Sequence, residues 1–255
     1  MTERTATEAI PFLITRPAGK ADNLLATLDE SGIAYLYQPL ITTAQMALKP
    51  QDQQFLQHAD MLVFVSVSAV SCLQNQTDAA LLNAPLFAVG QTTASALQRW
   101  LAREVIVPED QRSEGLLQLP QLQQVAGKQI VVVRGNAGRE LIKQGLVARG
   151  ATVRYVQSYK RVPLPLDGAL LCQQWQLAGI RCIVATSNEI LQQLFSVISA
   201  GHHHWLQQCD WVLVSPRMQD SALALGIAAE RITLADNAND SALLAAISQL
   251  KREYQ

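Results

Sequence analysis

The stretch Ala151-Thr-Val-Arg-Tyr-Val-Gln-Ser-Tyr-Lys-Arg-Val-Pro163 decides the fold, because it predicts one long β-strand. It is rich in β-branched and aromatic residues with a rough period of two, it follows Gly150, and it ends at a proline. An earlier stretch, Ile33-Ala-Tyr-Leu-Tyr-Gln-Pro-Leu-Ile41, follows Gly32 and has the same character. We predict that these two stretches connect two similar lobes, and that a substrate binds between the lobes beside them.

Two strand-to-helix units, starting at Leu13-Ile-Thr-Arg16 and Val131-Val-Val-Arg134, indicate an internal repeat. In each unit a glycine follows the arginine by 16 residues, and a tyrosine follows that glycine by five. These residues are Gly32 and Tyr37 in the first unit, and Gly150 and Tyr155 in the second. Matched spacings of this kind predict two units with the same local structure.

Three further pairs of segments follow in the same order in both halves of the repeat. Each pair joins a short apolar strand to a helical pattern, which is typical of parallel βα units and therefore predicts a doubly wound sheet in each lobe. The pairs are Met61–Ser66 with Cys182–Ser187, Leu86–Gly90 with Trp211–Ser215, and Val105–Pro108 with Ile232–Leu234.

The spacing leaves two chain topologies open. In one, the lobes follow each other, from residue 1 to about 125 and from about 126 to 255. In the other, the chain crosses between lobes at about 36–41 and returns at about 155–161, so that residues 42–157 form one lobe and residues 1–38 with 161–255 form the other. The length of the Ala151 strand favours crossing, because it extends beyond what its own sheet needs.

The composition excludes several classes of protein. A net charge of −1 without a long basic run argues against a nucleic-acid partner. No apolar run reaches the roughly 18 to 20 residues of a membrane span, and the N-terminal residues do not look like a signal peptide, so we expect a cytoplasmic protein. The four cysteines show no metal-binding or disulfide spacing, and we expect free thiols.

Six loops after predicted strands carry the candidate binding residues. They are short, and rich in hydroxyl groups, amides and arginine, at positions that lead into helix N-termini where anions bind in open parallel sheets. The same hydroxyl groups also suit simple helix N-caps. The candidates are Thr15, Arg16, Ser66, Gly90, Thr92, Thr93, Arg134, Gly135, Ser187, Ser215 and Arg217.

Nucleotide and metal motifs are absent from the sequence. It contains no Gly-x-Gly-x-x-Gly and no phosphate-binding Gly-x-x-x-x-Gly-Lys motif, and the run His202-His-His204 fits a solvated turn better than a metal site. We expect no metal and no cofactor. Tyr159 follows the regular part of its strand beside Lys160 and Arg161, and its phenol is a candidate proton donor at neutral pH.

Taken together, several of these segments resemble the uroporphyrinogen-III synthase family. The resemblance covers essentially the whole chain, and its strength lies in the order of motifs that are individually weak. The motifs are Leu13-Ile-Thr-Arg-Pro17, Phe64-Val-Ser66 with Ala69-Val70, Val89-Gly-Gln-Thr-Thr-Ala94, Val133-Arg-Gly135 with Gly138-Arg139, and Tyr159-Lys-Arg161.

That resemblance implies a fold and a reaction. The fold is two flavodoxin-like α/β lobes, each a doubly wound parallel sheet, joined by a two-stranded β-ladder linker, which selects the crossing topology. The reaction is a cofactor-independent lyase reaction of haem biosynthesis: hydroxymethylbilane, a linear tetrapyrrole, loses water and closes to uroporphyrinogen III with ring D inverted through a spiro intermediate.

The resemblance also implies roles and partners. Tyr159 matches the family's tyrosine that assists departure of the hydroxyl group, and Arg16, Arg134 and Arg217 suit a substrate with eight carboxylates. We expect a monomer with a small-molecule substrate, without a nucleic acid or membrane partner, and with transient contact to the preceding pathway enzyme. Ser215-Pro-Arg217 departs from the family pattern. The alternative is a non-catalytic two-lobed protein that binds a tetrapyrrole or another polyanion.

Overall fold

The structure, a computed structural model, describes residues 11–138 and 140–254. The strands are β1 (Phe12–Ile14), β2 (Tyr35–Tyr37), β3 (Ile41–Gln45), β4 (Met61–Phe64), β5 (Leu86–Ala88), β6 (Val105–Ile106), β7 (Gln129–Gly135), β8 (Thr152–Pro163), β9 (Cys182–Val184), β10 (Asp210–Leu213) and β11 (Ile232–Leu234). The α-helices are α1 (Asp22–Glu30), α2 (Pro50–Gln57), α3 (Val67–Gln74), α4 (Gln91–Leu101), α5 (Ser113–Gln118), α6 (Leu141–Ala148), α7 (Gly168–Leu177), α8 (Asn188–Val197), α9 (His203–Gln208), α10 (Pro216–Ala224) and α11 (Asp240–Tyr254). Short 3₁₀ helices span Ala79–Leu81, Pro120–Leu122, Ala200–His202 and Ala229–Arg231.

The chain divides into two units, each with its own sheet. The first unit comprises Met1–Thr42 and Pro163–Gln255, and the second comprises Thr43–Val162. The sheet of the first unit has the strand order β11-β10-β9-β1-β2, so it combines strands from both ends of the sequence. The other sheet has the order β3-β8-β7-β4-β5-β6. The pairs β1–β2, β1–β9, β4–β7 and β7–β8 are all parallel, and the predicted α/β class with parallel sheets is confirmed.

The two sheets repeat the same strand order. Read from the edge, β11-β10-β9-β1-β2 in the first unit corresponds to β6-β5-β4-β7-β8 in the second, with β3 added beside β8. Each position in this series holds the strand that the sequence repeat pairs with its counterpart. The internal repeat is therefore a repeat of topology as well as of spacing.

Both repeated glycines end a helix in the same way. Gly32 follows α1 with a φ of 58°, and Gly150 follows α6 with a φ of 83°. In the second unit the N–H of Ala151, the next residue, donates to the carbonyl of Leu146, and Ile33 makes the equivalent bond in the first unit. A left-handed residue at this position suits glycine because it lacks a Cβ. The glycine thus turns the chain from the helix directly into the next strand.

Each sheet is covered on both faces by apolar side chains. In the second unit Val156 and Phe64 face one layer, whereas Val132 and Val153 face the other. Strands buried on both sides read as continuous apolar runs, which is why β4 and β7 were recognisable in the sequence. Between residues 11 and 254, within the part of the chain that the structure describes, no helix is long and apolar enough to span a membrane.

All four cysteines are free thiols, and three of them are buried. Cys209 precedes β10, and burial raises the pKa of its thiol to about 12; the charge of Asp210 acts in the same direction, and that of Arg231 opposes it. Because the unfolded chain gives up this proton near pH 9 and the folded chain keeps it, the unfolded state binds fewer protons between those values. The thiol's contribution to stability is therefore complete below about pH 9 and is lost as the pH rises towards 12.

Replacement of Cys209 by alanine is expected to flatten this alkaline loss of stability. At about 1.4 kcal/mol per pH unit, the wild-type chain should lose on the order of 4 kcal/mol more than Cys209→Ala between pH 9 and pH 12. Urea unfolding under reducing conditions, followed by circular dichroism at several pH values, measures the two profiles. Parallel profiles for the two proteins would contradict the burial of a neutral thiol at this position.

Candidate functional site

In each sheet the strand order reverses at one point, next to the strand that carries the repeated arginine. The reversal lies between β1 and β9 in the first unit and between β7 and β4 in the second. Ligands of open α/β sheets bind at the carboxyl ends of the strands at such points, where neighbouring loops diverge. Thr15, Arg16 and Ser187 follow their strands at this point of the first unit. In the second unit Ser66 follows β4, whereas Arg134 and Gly135, predicted to lie in a loop, are the last two residues of β7.

A β-bulge in β8 determines the position of Tyr159. Arg134 of β7 pairs with Gln157, but the next residue, Gly135, pairs with Tyr159, so Ser158 is an extra residue in β8. Strict alternation from the buried Val156 would turn Tyr159 to the opposite face of the sheet. The bulge instead places Val156 and Tyr159 in the same apolar layer.

Tyr159 lies within the strand, which corrects the expectation that it follows the regular part. Its side chain is largely buried, with 8% of its surface exposed, and the adjacent Ser158 is fully buried. Two consecutive buried residues reflect the bulge. The sequence pattern of period two did not reveal this, because a bulge has no marker residue in this stretch.

The hydroxyl group of Tyr159 contacts the start of α3. Ser66 Oγ donates a hydrogen bond to Tyr159 Oη at 3.1 Å, and the same Oγ accepts one from the N–H of Ala69, also at 3.1 Å. The second bond makes Ser66 the N-cap of α3. Ser158 Oγ donates to the carbonyl of Ala69 at 3.2 Å. The first turn of α3 is therefore joined to β8 at two successive residues.

Gly135 lies directly against the Tyr159 ring. A Cβ atom at residue 135 would stand 2.7 Å from Cε2 and 2.8 Å from Cζ of the ring. Such distances are shorter than carbon–carbon contacts in proteins allow. Because Gly135 has no side chain, the Tyr159 ring can pack directly against it at the carboxyl end of β7.

Arg134 is buried and paired with a carboxylate of its own unit. Its Nη1 donates to Glu140 Oε1 at 3.0 Å, and its guanidinium lies 4.5 Å from the centre of the Tyr155 ring. Tyr155 donates to Glu140 Oε2 at 3.0 Å. Burial, followed by the hydrogen bond to Glu140, raises the pKa of Tyr155, whereas the charge of Arg134 lowers it. To bind a carboxylate of a ligand, Arg134 must therefore either contact it together with Glu140 or give up its ion pair with Glu140.

Arg16 has a matching arrangement in the first unit. It forms an ion pair with Asp240, the first residue of α11, and its side chain is 13% exposed. Tyr37 corresponds to Tyr155, and burial followed by the charge of Asp22 raises its pKa while Arg16 lowers it. Among the described residues, the Tyr37 hydroxyl has no hydrogen-bond partner. Both repeated arginines thus form an ion pair with a carboxylate of the protein itself, which the sequence did not predict.

The remaining candidates are helix caps, buried threonines and exposed groups. Ser187 and Ser215 accept hydrogen bonds from the N–H groups of Ile190 and Met218, so both are N-caps. The fully buried Thr15 donates to the carbonyl of Val184 at 2.7 Å. Thr92 and Arg217 are exposed, Thr93 is buried, and Gly90 is the N-cap residue of α4. In the described part of the chain, Arg217 has no ion pair, so its charge is available at the start of α10.

His202 and His204 are solvent-exposed, as the sequence predicted, but the run lies in helical structure and His203 is partly buried. His202 ends a 3₁₀ helix, and α9 begins at His203. His203 Nε2 lies 2.9 Å from the carbonyl oxygens of both Phe195 and Ile198. Its ring therefore hydrogen-bonds the C-terminal end of α8, which is a structural role. The preceding Gly201 had suggested a turn instead.

The geometry defines a class of protein with two α/β units, each built on a parallel, doubly wound sheet. Arginines and helix caps lie where the strand order reverses, and in the second unit Ser66 also hydrogen-bonds the phenol of Tyr159 there. A family model described as Uroporphyrinogen-III synthase HemD matches residues 22–245. The chain belongs to the uroporphyrinogen-III synthase family.

Curated relatives agree with this assignment. The chain is 39% identical to the uroporphyrinogen-III synthase of Escherichia coli (strain K12) over 245 residues, which cover 92% of this chain and 99% of that protein. It is 36% identical to the protein of that name from Salmonella typhimurium, with the same coverage of both chains.

A solved structure with the same architecture is that of uroporphyrinogen-III synthetase from Helicobacter pylori. It matches with a TM-score of 0.61 at 15% identity, covering 96% of this chain and 99% of that one. A mutant uroporphyrinogen III synthase from Thermus thermophilus matches with a TM-score of 0.53 at 18% identity, covering 95% and 99%. At these identities the two structures support the fold alone.

Proposed function

We propose that the chain converts hydroxymethylbilane into uroporphyrinogen III, as a cyclising lyase of haem biosynthesis. Membership of the family supports the reaction. The observation that carries the assignment to residues is the phenol of Tyr159, whose oxygen is held by Ser66 at the strand-order reversal of the second unit.

In the proposed first step, Tyr159 donates its proton to the hydroxymethyl oxygen of the substrate. The carbon–oxygen bond breaks, water leaves, and an electron-poor azafulvene remains. Ring D then bonds to this carbon through its already substituted position, which gives the spiro intermediate. The bond from that position to the methylene of ring C breaks, which leaves an azafulvene on ring C, and this methylene bonds to the unsubstituted carbon of ring D. Ring D finally loses the hydrogen of its previously unsubstituted carbon, which balances the proton that Tyr159 supplied.

Most of the catalytic effect is expected to come from positioning. Unassisted closure joins the unsubstituted carbon of ring D, so the enzyme must hold the substituted carbon closer to the azafulvene. The eight carboxylates of the substrate are groups through which the protein can hold it in this orientation. Arg217 and the helix N-termini at Ser187 and Ser215 supply charge and N–H groups that suit them, and Arg16 and Arg134 add charge if they share their internal carboxylates.

We also propose a monomeric, cytoplasmic enzyme that makes transient contact with the enzyme producing its substrate. The chemistry of the substrate supports the contact, because free hydroxymethylbilane closes without help to the wrong isomer. Direct transfer of hydroxymethylbilane between the two enzymes shortens the time it spends free and so limits formation of the wrong isomer.

Isomer analysis tests the reaction itself. The purified chain is incubated with hydroxymethylbilane, the product is oxidised, and the porphyrin isomers are separated. We expect mainly isomer III, with isomer I forming in the control without protein. Isomer I alone in both samples would reject synthase activity and leave only binding of a polyanion.

Tyr159→Phe is expected to lower kcat about tenfold while the protein stays folded. General acids contribute about 10²- to 10⁴-fold, and the effect here lies below that range because the hydroxyl group also leaves unaided. Tyr35→Phe is the matched control, since Tyr35 lies on β2 with its hydroxyl directed to Asp29. Equal turnover of Tyr159→Phe and wild type would remove Tyr159 from the mechanism.

A further inference from the structure

Two serines at equivalent positions of the repeat differ in one contact. Ser66 and Ser187 both stand before a helix in extended backbone, with φ of −164° and −159°, and both cap the N–H three residues further on. Ser66 also donates to Tyr159. Because Tyr155 corresponds to Tyr37, the counterpart of Tyr159 is Ile41 by plain counting and Leu40 once the bulged residue is left out, and both are buried apolar side chains. The repeat thus contains two caps of the same kind but one phenol.

The Ser66 hydroxyl group donates one hydrogen bond and accepts another. Its oxygen accepts from the N–H of Ala69, so the hydroxyl hydrogen is free to turn to Tyr159 Oη. The phenol therefore uses an oxygen lone pair for Ser66 and keeps its own hydrogen for another acceptor. This is the arrangement that a proton donor needs before it reacts.

The same contact gains strength when the phenol loses its proton. A hydrogen bond to a charged oxygen is roughly twice as strong as one between neutral groups. The N-terminus of α3, eight residues long, adds its partial positive charge beside that oxygen. Both effects favour the phenolate that forms in the transition state over the phenol of the ground state.

We propose that Ser66 is a positioning residue that acts through Tyr159, rather than a ligand of the substrate. It holds the phenol oxygen in place and donates a hydrogen bond to the phenolate as the hydroxymethyl group departs. The bond from Ser158 to the carbonyl of Ala69 keeps α3 and β8 in register for this contact. The inference rests on the role of Tyr159 in the proposed function.

A double-mutant cycle of Ser66→Gly and Tyr159→Phe tests the inference. Glycine removes the hydroxyl group and is itself a favourable N-cap residue, so α3 keeps most of its stability. We expect Ser66→Gly to lower kcat about tenfold with little change in KM, and to cause no further loss in the Tyr159→Phe background. Ser66→Thr, which retains the hydroxyl group, should restore most of the turnover.

Asp167→Gly is the control for the loss of a cap. Asp167 caps α7 by accepting from the N–H groups of Ala169 and Leu170, and its removal should leave kcat unchanged. Losses of equal size in both backgrounds, or unchanged kcat in Ser66→Gly, would overturn the inference while leaving Tyr159 as the donor. Full activity of Tyr159→Phe alone would instead reject the donor assignment itself.

Discussion

Gly168→Ala is expected to lower the melting temperature of the first unit by roughly 6 to 12 °C, which corresponds to about 3 kcal/mol. Gly168 is the buried first residue of α7, and a Cβ there would stand 1.9 Å from the carbonyl oxygen of Val197 and 2.7 Å from its carbon. Both atoms belong to the backbone at the end of α8, so no rotamer change relieves the contact. The helices must move apart, and the apolar layer around Leu171 and Trp175 loses contact.

Gly201→Ala is the matched control for this prediction. Gly201 is exposed, its φ is not in the left-handed region, and an added Cβ meets nothing within 4 Å. Alanine should therefore be neutral or slightly stabilising there, because it restricts the unfolded chain. Thermal unfolding followed by circular dichroism measures both variants. A melting temperature of Gly168→Ala within about 1 °C of the control would show that α7 accommodates the methyl group without cost.

The repeat was visible in the sequence because it depends on local chemistry. A left-handed glycine ends both α1 and α6, and serine caps both α3 and α8, so the same residue types recur at the same spacing. Parallel strands buried on both faces also read as apolar runs. These features predict the strands and their class, and the confirmed family resemblance extends over most of the chain.

The site was harder to predict because its contacts are distant in sequence. Arg16 pairs with Asp240, 224 residues away, and Ser66 contacts Tyr159, 93 residues away. Charge on an arginine indicates an anion partner, but nothing in the local pattern distinguishes a substrate carboxylate from one within the protein. Glu140 is closer, six residues after Arg134, yet nothing in the sequence pattern indicates that the two side chains meet. The role of Tyr159 and of the other candidates therefore stays a prediction that kinetics must test.

Gly135→Ala is expected to lower kcat about tenfold, as much as the loss of the Tyr159 hydroxyl group. A Cβ at residue 135 would stand 2.7, 2.8 and 3.2 Å from three ring atoms of Tyr159, so the ring must shift by roughly 0.7 Å or more to reach an ordinary carbon–carbon contact. The shift disturbs the bond from Ser66 and strains the bulge, where the N–H of Asn136 donates to the carbonyl of Tyr159. A phenol displaced from its reacting position contributes no more than an absent one, so the loss should match that of Tyr159→Phe.

Steady-state kinetics with hydroxymethylbilane measures this effect, and a second variant traces it to the ring. In a Tyr159→Ala background the ring is absent, so Gly135→Ala should cause no further loss of turnover. Gly201→Ala serves again as the control for an added methyl group. Undiminished turnover of Gly135→Ala would show that the ring moves freely at this edge of the sheet. In that case the 3.1 Å contact with Ser66 would not be what positions the phenol, because a displaced ring loses it.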